Sequence, residues 1–168
     1  MTNTVTPLNV LFLCTHNSAR SILAEALLND LGQGRFKAYS AGSSPRENQQ
    51  PNPLALEVLR RAGIAVEGLR SKSWDEFTGP DAPQMDLVIT VCDNAKGEMC
   101  PVWPGHPATA HWGYADPSEV DAPPEVKRES FRQTMLLMRK RLGLLVNLPA
   151  EKLHQAALQN TARELSAQ

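Results

Sequence analysis

Val10-Leu11-Phe12-Leu13 runs straight into Cys14-Thr15-His16-Asn17-Ser18-Ala19-Arg20-Ser21, and that junction decides the fold. Four consecutive apolar residues without alternation predict a strand buried on both faces, as in parallel sheets. The polar turn gives way to a helix over Ser21 to Leu31. Leu23, Ala26, Leu27 and Leu31 share one face of it, and Gly32 supplies the stop.

Downstream the same alternation continues. Phe36 to Ser40 reads as a second strand closed by Ala41-Gly42, and Pro53 to Ala62 as a helix with Ala55, Val58, Leu59 and Ala62 at helical spacing and Gly63 as its stop. Leu87-Val88-Ile89-Thr90-Val91 is the strongest strand in the chain, and Pro80 to Pro83 before it is loop. Between Pro101 and Pro124 the chain is irregular, with a short strand at Thr109 to Trp112. From Pro124 a long helix carries Phe131, Met135, Met138, Leu142 and Leu145 as one stripe. Pro149 interrupts it, and Glu151 to Leu165 reads as a further helix. The order predicts an α/β fold with a parallel sheet and helices on both faces. It also predicts a domain over 1–148 and a helical extension over 149–168, which packs on the domain, covers the sheet edge or joins a dimer. In such sheets a site forms at the carboxyl ends of the strands, which points to the turn after Leu13.

The chain has 168 residues, enough for one domain with its own core. Lys and Arg number 17 against 18 Asp and Glu, a net charge of −1 that argues against nucleic-acid or polybasic membrane binding. No apolar run approaches the ~18–20 residues that span a bilayer, and Met1 to Asn9 lacks a signal-peptide core, so the expected location is the cytoplasm. Three cysteines are too few and too odd for a disulfide scaffold, which turns attention to their chemistry.

In the turn, Cys14 is followed by five residues, then Arg20 and Ser21. Backbone N–H groups of a tight loop and a helix N-terminus make an anion cradle from Thr15, His16, Asn17, Ser18, Ala19, Arg20 and Ser21. Arg20 offers a planar fork to a tetrahedral anion. The same positive field favours the thiolate of Cys14, a nucleophile. Asn17 tolerates φ > 0 better than most residues, and Ser21 is placed to donate to the thiolate. The bland alternative makes Cys14 a small apolar residue ending a strand.

Leu13 to Ser21, with Ile22-Leu23-Ala24-Glu25-Ala26, Tyr39-Ser40-Ala41-Gly42 and Asp116-Pro117, resembles the low-molecular-weight protein tyrosine phosphatases and the arsenate reductases built on the same fold. The resemblance runs from Asn9 to Leu145. It implies a three-layer sandwich around a four-stranded parallel sheet, and a thiolate mechanism with Asp116 as general acid. Otherwise Asp116-Pro117 merely opens a turn. The phosphatases commonly carry an aromatic residue after Asp-Pro. Here Ser118 follows, although Trp112 and Tyr114 are near enough to line a ring pocket. His111-Trp112-Gly113 before Asp116-Pro117 is more similar to the reductases.

The resemblance gives Cys92 and Cys100 redox roles. Cys92 attacks the sulfur of an arsenic-loaded Cys14, and Cys100 takes over the disulfide and presents it to a reductant. If Asp93 to Met99 were helical, Cys92 and Cys100 would stand ~12 Å apart, beyond the ~7 Å a disulfide allows, so the resemblance also implies a mobile segment from Asp93 to Trp103. The other readings are two unrelated thiols, or zinc, which the absence of C-x-x-C and the spacing of His106 and His111 disfavour. No bound cofactor is expected. The reductant is external: thioredoxin, or glutathione with glutaredoxin, which would use fewer enzyme thiols.

Two departures stand out. His16 is unusual in such a loop and either adds charge to the rim or is merely solvated. In some related reductases potassium is held at positions matching Asn17, Glu25 and Ser40 and an Asp of a following loop, where this chain has Ser71-Lys72-Ser73. Lys72 then either replaces the cation and pairs with Glu25 or is a surface lysine. The expectation is thiol-dependent reduction of arsenate to arsenite. The alternatives are a phosphatase of phosphate monoesters using Cys14, Arg20 and Asp116, and a redox-sensing module that forms a disulfide without turnover.

Overall fold

Leu8–Cys14 forms strand β1, and its last five residues are buried. The structure, a computed structural model, describes residues 7–93 and 108–148. Helix α1 spans Arg20–Gly32, β2 Phe36–Gly42, α2 Pro53–Arg61, β3 Leu87–Thr90, β4 Ala108–His111 and α3 Pro124–Val146, with short 3-10 turns at Trp74–Phe77 and Pro117–Glu119. The sheet is four-stranded in the order β2-β1-β3-β4, and every pairing is parallel. The unbroken apolar run of β1 is explained by its central place. Val10 and Phe12 face one core with residues from all three α-helices, including Leu27, Val58 and Phe131. Leu11 and Leu13 face a second, smaller core with Ala41, Met85 and Val88, covered by Trp74 and Phe77 of the first 3-10 turn.

The helix boundaries follow from local chemistry. At α2 the Asn52 side chain accepts from the Leu54 N–H, and Pro53 fits the first turn, where no donor is needed. In α3 the whole expected stripe, Phe131, Met135, Met138, Leu142 and Leu145, is buried. β4 begins and ends one residue earlier than the sequence suggests, although the Trp112 N–H still donates to the Thr90 carbonyl at 2.8 Å. The expected helix over 151–165 lies outside the described residues, as do Cys100 and nearly all of the segment expected to be mobile.

The chain leaves β1 to form β2 on one side and returns to form β3 on the other. The carboxyl end of β1 is therefore the switch point of the sheet, where an open α/β fold places its crevice.

Candidate active site

Five residues, Thr15 to Ala19, connect Cys14 at the end of β1 to Arg20 at the start of α1. So short a link must bend sharply, and Asn17 makes the bend with φ 57°. Asn17 is fully buried, and its main-chain N–H and both polar atoms of its side chain are bonded. Its main-chain N–H donates to Cys14 Sγ at 3.2 Å, its Nδ2 donates to Ser21 Oγ at 2.6 Å, and its Oδ1 accepts from the Lys72 main-chain N–H at 2.9 Å. Ser21 Oγ, already accepting from Asn17, lies 2.9 Å from Cys14 Sγ. In the thiolate form the sulfur can only accept, so Ser21 donates to it. Two donors thus hold the ionised Cys14.

Helix α1 has no side-chain N-cap and no acidic residue in its first turn. Its first amides lack helical partners and carry the positive end of the helix dipole, which leaves them for an anion. Arg20 is 7% exposed, donates from Nη1 to the Tyr114 carbonyl at 3.0 Å, and holds Nη2 3.6 Å from Asp116 Oδ2. The other carboxylate oxygen of Asp116 accepts from the Ser118 N–H at 2.9 Å and Ser118 Oγ at 2.7 Å. Asp116 therefore does begin a turn, and that turn aims it at Arg20. His16 Nδ1 lies 2.9 Å from the Ser44 carbonyl, which can only accept, so the imidazole carries its proton on Nδ1. His16, Ser18, Arg46, Asn52, Asp116 and Ser118 line an open cleft of about 370 Å³ outside the loop.

Trp112 and Tyr114 do not line that cleft. They are 1% and 7% exposed and belong to the main core, which corrects the expectation of a ring pocket. Their alternation with exposed Gly113 and Ala115 turns both rings inward.

Lys72 is buried rather than a surface lysine. Its Nζ donates to the Ser40 carbonyl at 2.8 Å and lies 3.7 Å from Glu25 Oε1, which also accepts from Ser40 Oγ. The ammonium already stands among these oxygens, so the residues present do not fit a potassium ion. Burial is the largest influence on both groups: it pushes Glu25 above and Lys72 below their ordinary values, and their mutual attraction opposes this without overcoming it.

Cys92 lies two residues past Thr90, whose register partner Leu13 directly precedes Cys14. The ladder continues through the bond from the Val91 N–H to the Leu13 carbonyl at 2.9 Å. Both thiols are buried and belong to one core cluster. Sequence reasoning missed the Tyr114 carbonyl, the Ser118 clamp and the part played by Gly42. A Cβ on Gly42 would stand 2.6 Å from the Thr15 carbonyl oxygen, so the loop packs directly on this glycine. The Tyr39-Ser40-Ala41-Gly42 stretch was a signal for the last of these. The other two depend on tertiary contacts.

A family model described as low molecular weight phosphotyrosine protein phosphatase matches residues 9–160. The arsenate reductase of Bacillus licheniformis is 35% identical over 125 residues, covering 74% of this chain and 84% of the relative. A solved arsenate reductase from Archaeoglobus fulgidus superposes with a TM-score of 0.66 at 28% identity, over 83% of this chain and 99% of that one. A thioredoxin-dependent arsenate reductase of Corynebacterium glutamicum gives 0.52 at 26% identity, over 84% of this chain and 65% of that one.

Proposed function

The chain belongs to the low molecular weight phosphotyrosine protein phosphatase family, and from that premise we propose that it is a thiol-dependent arsenate reductase. The observation that carries this reading over a phosphatase is the buried Cys92 thiol, two residues past the strand beside that of Cys14, which phosphate ester hydrolysis would not use. The likeness to named arsenate reductases supports it.

The reaction runs as follows on this chain's residues. The Cys14 thiolate attacks arsenic(V) held by Arg20 and the amides of residues 15–21. One oxygen leaves as water, taking a proton from Asp116, and an S–As bond forms. The Cys92 thiolate attacks Cys14 Sγ. The S–As bonding pair passes to arsenic, which leaves as arsenite, and a Cys14–Cys92 disulfide remains. Two electrons reach arsenic, and two thiols are oxidised. Cys100 then attacks Cys92, frees Cys14 and leaves a Cys92–Cys100 disulfide for an external dithiol. Thioredoxin is the expected donor, as in the corynebacterial relative, and a cycle that starts from free thiols suits the cytoplasm. Lys72 does the work of a bound cation by fixing Asn17 through its main-chain N–H and neutralising Glu25. Phosphate shares the shape and charge of arsenate, so residual hydrolysis of phosphate monoesters is expected from Cys14, Arg20 and Asp116.

Trapping tests the sequence of thiols. Cys100→Ser protein treated with one equivalent of arsenate should release arsenite once and accumulate a Cys14–Cys92 disulfide in peptide mass spectra. Arsenate that leaves both thiols reduced would contradict the reading.

A further inference from the structure

Arg20 meets two groups supplied by one short stretch, the Tyr114 carbonyl at 3.0 Å and Asp116 Oδ2 at 3.6 Å. That stretch, residues 112–116, lies between β4 and the second 3-10 turn and has no regular secondary structure of its own. Helix α3 holds it from the side away from the cleft. The Arg141 guanidinium stands 5.6 Å from the centroid of the Trp112 ring and 5.2 Å from that of Tyr114, and its Nη1 donates to Tyr114 Oη at 3.2 Å. Trp112 and Tyr114 are two residues apart and turn the same way, so one guanidinium engages both rings. A planar cation against two buried rings is a contact with a defined geometry.

We propose that Arg141 is a positioning residue for the oxyanion site. By clamping Trp112 and Tyr114 it fixes the main chain between them and Asp116, and through the Tyr114 carbonyl it sets the direction of the Arg20 guanidinium. The proposal rests on Arg20 as an oxyanion ligand. A guanidinium free to swing binds a tetrahedral anion less well than one held in place, because ordering it then falls to the binding step.

The test is the affinity for inorganic phosphate, read from protection of Cys14 against iodoacetamide and quantified on the Cys14 peptide by mass spectrometry. It needs no electron donor. Each variant's melting temperature is recorded, and affinities are taken well below it. Arg141→Met, which keeps an apolar stem, should weaken phosphate binding roughly tenfold, between the exposed and the desolvated ranges for a cation over an aromatic ring. Arg141→Lys should recover part of the loss, since an ammonium keeps the charge without the fork. Tyr114→Phe, which keeps the ring and loses only the hydroxyl, should weaken binding about threefold, on the scale of one net hydrogen bond. It decides the matter if Arg141→Met does not fold. Arg20→Lys is the reference for losing the ligand itself. If Arg20→Lys loses phosphate while Arg141→Met and Tyr114→Phe bind it like wild type, whatever their melting temperatures, Arg141 only packs and the proposal is overturned. If Arg20→Lys still binds phosphate like wild type, the reading of Arg20 falls and this one with it.

Discussion

Gly42→Ala should damage the active site without unfolding the protein. Gly42 ends β2, paired with Cys14 across the ladder, and the catalytic loop lies directly over it. A Cβ there would stand 2.6 Å from the Thr15 oxygen, 2.9 Å from the His16 carbonyl carbon and 3.0 Å from the Asn17 nitrogen. All three are main-chain atoms, so no side chain can swing aside. Ordinary contact begins at 3.4 Å, which means the Thr15 carbonyl must retreat by about 0.8 Å. The neighbouring bonds resist this: the Ser43 N–H donates to the Cys14 carbonyl at 3.1 Å and the Ser44 N–H to the Thr15 carbonyl at 2.9 Å. Overpacking of this kind costs about 1–3 kcal/mol. The same displacement falls on the amides that would hold the anion, and misplacing reacting groups by about 1 Å can cost roughly a hundredfold in rate. The assay is kcat/KM for arsenate together with a urea unfolding curve. A fall of about ten- to a hundredfold in kcat/KM with loss of no more than ~3 kcal/mol of stability is expected. Activity within twofold of wild type would refute the claim that the loop is seated on this glycine.

Further outcomes follow from the same geometry. Ser21→Ala removes a hydrogen bond to the Cys14 sulfur; bonds to charged groups contribute ~1.5–3 kcal/mol, so alkylation of Cys14 at neutral pH should slow by about tenfold or more, and an unchanged rate would show that Ser21 does not hold the thiolate. Asp116→Asn should cut aryl phosphate hydrolysis by ~10²–10⁴-fold, the usual contribution of a general acid, and a loss under threefold would remove Asp116 from that role. Wild-type turnover should be the same in potassium and in sodium, because the Lys72 ammonium occupies the place beside Glu25 and Ser40; strong activation by potassium would count against it.

The buried pair also gives a pH dependence. Burial raises Glu25, so its contribution to stability is fully present below the ordinary carboxylate range and is lost as pH rises through its folded value. Burial lowers Lys72, so its contribution is present above the ordinary lysine range and is lost as pH falls through its folded value. Burial acts against the charged form of both groups, and the pair is tolerated for what it positions. Lys72→Met leaves a carboxylate without its cation and should cost about 3–5 kcal/mol at pH 8. At pH 5 the deficit should shrink, since protonating Glu25 relieves it. Equal deficits at the two pH values, measured by urea unfolding, would contradict this account of the pair.

Much of the fold was legible because strand burial leaves a composition signature. Val10 to Leu13 and Leu87 to Val91 could be recognised as strands without alternation, since a central parallel strand faces a core on each side. The α3 stripe was equally plain, as every fourth or third residue enters the main core. Within the site, the spacing of Cys14, Arg20 and Ser21 on one turn announced an anion loop, and Asn17 announced the bend. The Tyr114 carbonyl, the Ser118 clamp and the Arg141 contact were not legible. Each joins residues far apart in sequence, or uses main-chain atoms that every residue possesses. Trp112 and Tyr114 misled for a related reason: proximity in sequence to Asp116 says nothing of which way a ring turns, and alternation with Gly113 and Ala115 turned both inward. The outcome for Lys72 was open in the sequence because a lysine between two serines reads equally as surface until the depth of Ser40 and Glu25 is known.

The most direct measurement is arsenite production from arsenate with thioredoxin, thioredoxin reductase and NADPH, comparing wild type with Cys92→Ser and Cys100→Ser while following aryl phosphate hydrolysis in the same preparations. The account predicts multiple turnovers in wild type, no more than the single release in Cys100→Ser, no arsenite from Cys92→Ser, and phosphatase activity that survives both substitutions. No arsenite from wild type, beside brisk hydrolysis that ignores both substitutions, would contradict it and make the protein a phosphatase with two idle thiols.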